Sequence, residues 1–181
     1  MAFKPGKEET FEGDILFLGE YRPTGWHKEQ GGGPYPEHSS RIWDVKNKKN
    51  KGLSYFSEYL VKKLKKPTAI AVVPSHHSGI GATTGLHMLA GRLAKDLGLS
   101  NGSPCLVRHT TVDKKATGGD RSIEGHLASI KVAKADRIKG HVVLLIDDIT
   151  TTGNSLLACK RLLMEAGAKD VIMLALGKTT H

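Results

Sequence analysis

Three apolar runs constrain the fold of this chain most strongly. They lie within residues 69–73 (AIAVV), 141–147 (HVVLLID) and 170–176 (DVIMLAL). A strand covered by helices on both faces is continuously apolar, because neither face meets water. Segments with helical spacing of apolar residues separate the runs. We therefore predict an α/β fold, with a twisted, mainly parallel sheet flanked by helices.

Apolar spacing, glycine and proline assign most of the remaining chain. Pro67 and Gly98 should end two helices, because proline cannot continue a helix and glycine adopts the left-handed cap. In chain order, the further predicted elements are a strand at 13–23, a loop at 24–40, a helix at 52–66, a helix at 86–97, a buried strand at 105–109, a polar loop at 110–126, a return strand at 129–132 and a helix at 154–166.

The length of 181 residues fits one compact domain. No run approaches the ~20 apolar residues of a membrane span, and the first ten residues lack an apolar segment, so we expect a cytoplasmic protein with no membrane partner. Cys105 and Cys159 are not part of a CxxC pair. They therefore suggest no zinc ribbon or redox pair, and we expect both to be core residues rather than reactive thiols.

The formal net charge of +9 favours polyanionic partners. Part of it lies in the run KNKKNK, which contains Lys46, Lys48, Lys49 and Lys51. Phosphorylated metabolites or nucleic acid would suit such a surface, and so would a merely solvated lysine-rich face. Charge alone does not separate these interpretations.

The most informative motif begins where the second apolar run ends. Asp147 and Asp148 stand at the carboxyl end of a predicted parallel strand, where open α/β sheets bind ligands. The adjacent carboxylates repel unless hydroxyl donors or a cation compensates them. A turn that can bind an anion at a helix start follows. Its residues are Thr150, Thr151, Thr152, Gly153 and Asn154. Together these features fit a ribose 5-phosphate; the alternative is a helix cap preceded by two solvated aspartates.

The segment VVLLIDDITTTGNSL resembles the phosphoribosyl-pyrophosphate (PRPP) motif of type I phosphoribosyltransferases. The resemblance implies that Asp147 and Asp148 hold the ribose hydroxyls and that the turn wraps the 5-phosphate. Thr151 stands where enzymes for 6-oxopurines typically have an aspartate. This difference argues against hypoxanthine or guanine as acceptor and leaves orotate-like and competence-associated types open.

Within that class, the chain is similar to ComF-like (competence-associated) proteins over residues 41–176. The matching segments are RIWDVKNKKNKGLSYFSEYLVKKL, AVVPSH and GGDRSIEGHLASIKV. The zinc-ribbon cysteines of many ComF proteins are missing, and the loop PSHHSGIG is unusual. By position, the resemblance implies pyrophosphate contacts from Ser75, His76 and His77. It also implies a mobile loop at 110–126, from which Arg121 helps to close the site.

The resemblance implies transfer of ribose 5-phosphate from Mg²⁺–PRPP to an unidentified nitrogenous acceptor. It further implies a homodimer with a small N-terminal hood and leading helix at 1–66 and a core at 67–181. The alternative function is a non-catalytic PRPP- or nucleic-acid-binding accessory protein. Two rival sites have weaker support. A metal could bind the adjacent histidines, and a dinucleotide could bind near Gly79 and Gly81, with Arg108 accepting a 2′-phosphate.

Overall fold

The computed structural model describes residues 10–12, 14–75, 83–110 and 122–179. The strands are β1 (Thr10–Glu12), β2 (Ile15–Phe17), β3 (Glu20–Tyr21), β4 (Ala69–Val72), β5 (Ser100–Asn101), β6 (Leu106–Arg108), β7 (Ile130–Val132), β8 (Val142–Thr150) and β9 (Asp170–Thr179). The helices are α1 (Thr24–Glu29), α2 (Glu37–Lys46), α3 (Asn50–Lys63), α4 (Gly85–Leu97), α5 (Ile123–Ser129) and α6 (Asn154–Glu165), with a short 3-10 helix at Ala135–Arg137. No helix among the described residues is long and apolar enough to cross a membrane.

Seven of the described strands form one sheet in the order β1-β2-β9-β8-β4-β5, with β3 also on β9. All pairs are parallel except β1 with β2. The predicted α/β fold with a mainly parallel sheet is confirmed. Because β2 and β3 belong to this sheet, the 1–66 segment contributes to it directly. The division at residue 66 stays a prediction.

The alternation of side chains along β8 divides the core into two layers. Leu144 and Ile146 pack with α2, α3 and α4, whereas Val143 and Leu145 pack with α6 and the β6–β7 pair. Both faces are covered, which explains the continuous apolar run in the sequence.

The two ends of α4 are explained by the local sequence. The Thr84 side chain caps α4 by accepting from the His87 backbone N–H, and the His87 ring accepts from the Thr84 N–H in return. Gly98, at φ +65°, ends the helix in the left-handed conformation, as predicted.

The predicted loop at 24–40 is wrong, because it contains α1 and the start of α2. Both helices directly follow a proline, Pro23 and Pro36, at the N-cap position. Proline costs little at a helix start, where its missing N–H would have no helical partner. These prolines therefore begin helices, whereas the sequence interpretation placed Pro23 at the end of a strand and Pro36 within a loop.

The remaining differences concern strand limits and pairing. The strand predicted at 105–109 is β6, but it pairs antiparallel with β7 in a separate two-stranded sheet. The predicted return strand at 129–132 is thereby confirmed. β8 and β9 each run three residues beyond their predicted ends at 147 and 176. The strand predicted at 13–23 divides into β2 and β3, while β1 and β5 were not predicted.

Candidate active site

The carboxyl ends of β4 and β8 open onto a cavity of about 570 Å³. Because these strands are adjacent and parallel, the residues that end or follow them meet at one edge of the sheet. The walls include the end of α2, residues 73–75 after β4, the start of α4, and residues 147–155. The volume lies in the range of ~300–1,000 Å³ that is typical of small-molecule sites.

The adjacent carboxylates of β8 have partners on opposite faces of the sheet. Asp147 accepts a hydrogen bond from the Ser155 hydroxyl on α6, with the oxygens 3.1 Å apart. The Asp148 carboxylate forms an ion pair with Lys46 at the end of α2, with Nζ and Oδ2 3.3 Å apart. Strand geometry therefore separates two side chains that are neighbours in sequence. Both line the cavity.

Asp147 is the more buried acid, with 9% of its surface exposed. Burial, followed by the charge of Asp148, raises the pKa of Asp147 to about 7. Two hydrogen bonds lower this pKa in part: the Asp148 N–H donates to Asp147 Oδ1 over 2.8 Å, and the Ser155 hydroxyl donates to Asp147 Oδ2. A ligand that donates hydroxyls to this carboxylate would stabilise its ionised form.

The turn after β8 leads directly into a helix whose first residue is Asn154. Gly153 precedes it at φ +80°, and a Cβ there would overlap Ile15 Cδ1, so the position requires glycine. Since Gly153 has no side chain, it caps none of the first-turn N–H groups of α6. A helix start of this kind, bordering a cavity, favours an anion such as phosphate.

Thr150 supplies a further indication of a ligand. Thr150 is buried, with 6% of its surface exposed. Within the described part of the chain, its Oγ1 is the buried side-chain oxygen for which no hydrogen-bond partner is found. Buried hydroxyls are rarely left unpaired, and Thr150 lines the cavity. A bound oxyanion or hydroxyl would satisfy it.

Of the residues predicted to contact pyrophosphate or to close the site, the structure describes only Ser75. Ser75 lines the cavity, and its carbonyl oxygen accepts a hydrogen bond from Arg108 Nε over 2.8 Å. His76, His77 and Arg121 lie outside the described residues, so their predicted roles stay predictions. His126, at the far end of the predicted loop, lies on α5 and lines the cavity.

Arg108 ends β6 beside the acid pair, whereas the sequence interpretation named it only for the rival dinucleotide site. The side chain is buried, and its guanidinium donates to the Ser129 hydroxyl and to His126 Nδ1, the latter over 3.3 Å. Burial lowers the pKa of Arg108, while the nearby Asp147 charge raises it. A buried cation at a cavity wall can bind an anionic ligand.

Lys46 and Ser155 were likewise not assigned to the site from sequence. Lys46 was grouped with its neighbouring lysines as a surface for nucleic acid, yet it contacts Asp148. A single charged residue in the apolar stretch CLVRH was the available indication for Arg108. Nothing local in the sequence pointed to Lys46 as a partner of an acid 102 positions later, at residue 148.

The donor set fits magnesium that arrives with a phosphorylated ligand. Over the described ranges, no cluster of three or more His, Cys, Asp or Glu side chains could hold a metal ion. Mg²⁺ usually keeps several waters and binds one or two carboxylates together with substrate phosphates, rather than an all-protein cage. Asp147, Asp148 and the unpaired Thr150 hydroxyl are hard oxygen donors that suit this arrangement.

The other lysines of the run lie outside the cavity. Lys48, Lys49 and Lys51 are exposed near the turn between α2 and α3. Lys49 Nζ lies 4.2 Å from the ring centre of Trp43, which is 44% exposed.

Cys105 and Cys159 are buried and free, as expected of core residues.

Comparison with protein families identifies the class. The sequence model of one family, the phosphoribosyl transferase domain, matches residues 80–178, which is more than half of the 181 residues. The chain therefore belongs to the phosphoribosyl transferase domain family, as its PRPP-like motif predicted. The narrower resemblance to ComF-like proteins stays a prediction.

Individual relatives add detail. Adenine phosphoribosyltransferase of Treponema denticola is 50% identical over 44 residues, which cover 24% of this chain and 23% of that protein. The chain thus matches about a quarter of that relative's length. The structure of adenine phosphoribosyltransferase from Leishmania tarentolae superposes with a TM-score of 0.51 at 16% identity, covering 92% of this chain and 79% of that one. This second likeness concerns the fold alone.

Proposed function

We propose that this protein moves ribose 5-phosphate from Mg²⁺–PRPP to a nitrogenous acceptor and releases pyrophosphate. The observation that carries the proposal is the single cavity in which the acid pair, the Thr/Gly turn and the start of α6 meet. In this proposal Asp147 and Asp148 accept hydrogen bonds from the ribose hydroxyls. The 5-phosphate binds the backbone N–H groups and hydroxyls of residues 150–154. Family membership and the unpaired Thr150 hydroxyl support this assignment.

The reaction requires the bond between C1 of the ribose and the pyrophosphate oxygen to break. The electron pair of that bond leaves with pyrophosphate, the acceptor nitrogen bonds to C1, and the acceptor proton is released. Positive charge develops on the ribose, and the nearby carboxylates of Asp147 and Asp148 would offset it. Magnesium, when bound with PRPP, would neutralise part of the pyrophosphate charge. Ser75, His76, His77 and Arg108 would contact or orient the leaving group, and Arg121 would help to exclude water.

Adenine is the first acceptor to test, because the relative from Treponema denticola is named for it. Thr151 argues against the 6-oxopurines hypoxanthine and guanine. Assignment to the ComF-like group remains our narrower proposal, and it makes a wider screen of nitrogen heterocycles necessary. The homodimeric assembly is a further proposal, which light scattering on the purified protein would test.

Thermal unfolding with and without Mg²⁺–PRPP tests the binding step. Ligand at ~100 times its dissociation constant adds about 2.7 kcal/mol to the free energy of unfolding. For a domain of this size the melting temperature should rise by roughly 5–10 °C. The Asp147→Asn/Asp148→Asn variant should lose this rise relative to its own ligand-free value. The exposed pair Asp96→Asn/Asp136→Asn, with the same charge change, should keep it.

Release of pyrophosphate with adenine and other bases then tests turnover. No rise in the wild-type melting temperature, together with no pyrophosphate release, would contradict the proposal. In that case the second candidate function becomes the stronger one. The exposure of Lys48, Lys49 and Lys51 outside the cavity favours it. Nucleic-acid binding should then fall steeply with salt and be lost when these three lysines are neutralised.

A further inference from the structure

Lys46 belongs to the candidate active site although it comes from the N-terminal third of the chain. Its Nζ lies 3.3 Å from Asp148 Oδ2, and both residues line the cavity. The side chains are 41% and 28% exposed, so the ion pair lies at the cavity wall where it is partly open to solvent. The other oxygen, Asp148 Oδ1, accepts from the Ile149 N–H over 2.7 Å. Lys46 and this N–H together fix both oxygens of the carboxylate.

The backbone that carries Lys46 is held in place by close packing. Val45 is fully buried, and a Cβ on Gly85 would overlap its carbonyl oxygen. A Cβ on Gly52 would likewise overlap a backbone oxygen of α2 and lie 2.6 Å from Asp44 Cβ. The end of α2 therefore sits directly against the starts of α3 and α4. Lys46 extends from a fixed point toward the acid pair, not from a loose turn.

The charge balance of the cavity makes this contact significant. Two carboxylates face a space that would receive a strongly anionic substrate. Among the described residues, Lys46 is the cation that forms an ion pair with either acid. Arg108 is close, but its guanidinium donates to Ser75, Ser129 and His126. Without Lys46, the negative charge of the acids would repel phosphate groups more strongly.

We propose that Lys46 is a positioning residue that holds the Asp148 carboxylate in place and offsets the charge of the acid pair, so that PRPP can approach. The inference rests on the proposed function. It assigns to Lys46 a role different from that of its neighbours in the lysine run. It also makes α2 part of the substrate site, so the site combines the N-terminal third of the chain with residues 147–155.

The test is the dissociation constant of Mg²⁺–PRPP, measured by titration calorimetry. Lys46→Met should weaken binding by about tenfold, and Lys46→Arg, which keeps the charge, should restore most of it. The matched control Lys95→Met removes an exposed charge from the last turn of α4 and should bind as the wild type does. The melting temperature of Lys46→Met without ligand should stay within about 3 °C of the wild type, because partly exposed ion pairs contribute little to stability.

A double-mutant cycle separates positioning from direct contact with PRPP. If Lys46 acts through Asp148, then Lys46→Met should have little further effect in an Asp148→Asn background. Independent, additive losses would overturn the positioning role, as would wild-type affinity in Lys46→Met. Failure of the wild type itself to bind Mg²⁺–PRPP would instead refute the proposed function and, with it, this inference.

Discussion

Asp147→Asn should stabilise the ligand-free protein at alkaline pH. The wild-type carboxyl has its pKa raised from 3.8 to about 7, first by burial and then by Asp148. A raised acid pKa means that the folded state binds the proton more tightly than the unfolded state does. The wild type therefore keeps its full stability below pH ~4 and loses part of it as the pH rises through about 7. Asparagine removes that loss.

The magnitude follows from the two pKa values. Above both of them, the cost of ionising Asp147 in the folded protein is about 4 kcal/mol. Local relaxation and water entry reduce such costs, so we expect a gain of about 2 kcal/mol, or roughly 4–8 °C, at pH 8. Asparagine can keep both contacts, since its oxygen can accept from the Asp148 N–H and its amide can donate to Ser155. Cavity or hydrogen-bond losses should therefore be small.

The assay is urea unfolding at pH 5 and pH 8 for wild type, Asp147→Asn and the exposed control Asp136→Asn. The control makes the same change in net charge on a side chain that is 78% exposed. The free energy of unfolding of Asp147→Asn should exceed that of the wild type by clearly more at pH 8 than at pH 5, because the loss in the wild type accumulates between pH ~4 and about 7. The control should show no such pH-dependent difference. An Asp147→Asn effect that is equal at both pH values would refute the view that the carboxyl is ionised at a cost.

Two further predictions concern the glycines that fix the site. Gly85→Ala should destabilise the protein by at least about 3 kcal/mol in urea unfolding, because the new Cβ overlaps the Val45 carbonyl oxygen. The control Gly91→Ala, at a half-buried position on the same helix where the new Cβ meets open space, should be neutral or stabilising. Gly153→Ala should lower the free energy of unfolding by about 1–2 kcal/mol, because alanine is strained at the positive φ of this position. It should also weaken Mg²⁺–PRPP binding in titration calorimetry, because the new Cβ overlaps Ile15 and forces the turn to move. Unchanged affinity would argue against a phosphate at this turn.

The central strand and the acid pair were predictable because their causes are local. β8 is covered on both faces, so its residues are continuously apolar, and the two acids stand out where that run ends. The cap of α4 was equally local, since Gly98 alone determines where the helix stops. Such features depend on a few adjacent residues, and the sequence displays those residues together.

The partners of the acids were not predictable, because they arrive from separate elements. Ser155 approaches from α6 and Arg108 from the β6–β7 pair, and the relative placement of these elements depends on packing. The buried strand at 105–109 was correctly recognised as a strand. Its departure from the main sheet, which brings Arg108 beside Asp147, could not be inferred from apolar content.

The lysine run shows what composition alone could not distinguish. Lys46 lies in the last turn of α2, and Lys48 adopts φ +58°, a left-handed conformation that reverses the chain before α3 begins. The reversal directs the residues on its two sides to different surroundings: Lys46 contacts Asp148, whereas Lys49 stacks on Trp43. The six positions of the run thus cross from one helix to the next. Lysines that are neighbours in sequence therefore need not share one role. For this chain, the nucleic-acid alternative is tested most cleanly on Lys48, Lys49 and Lys51, which do not line the cavity.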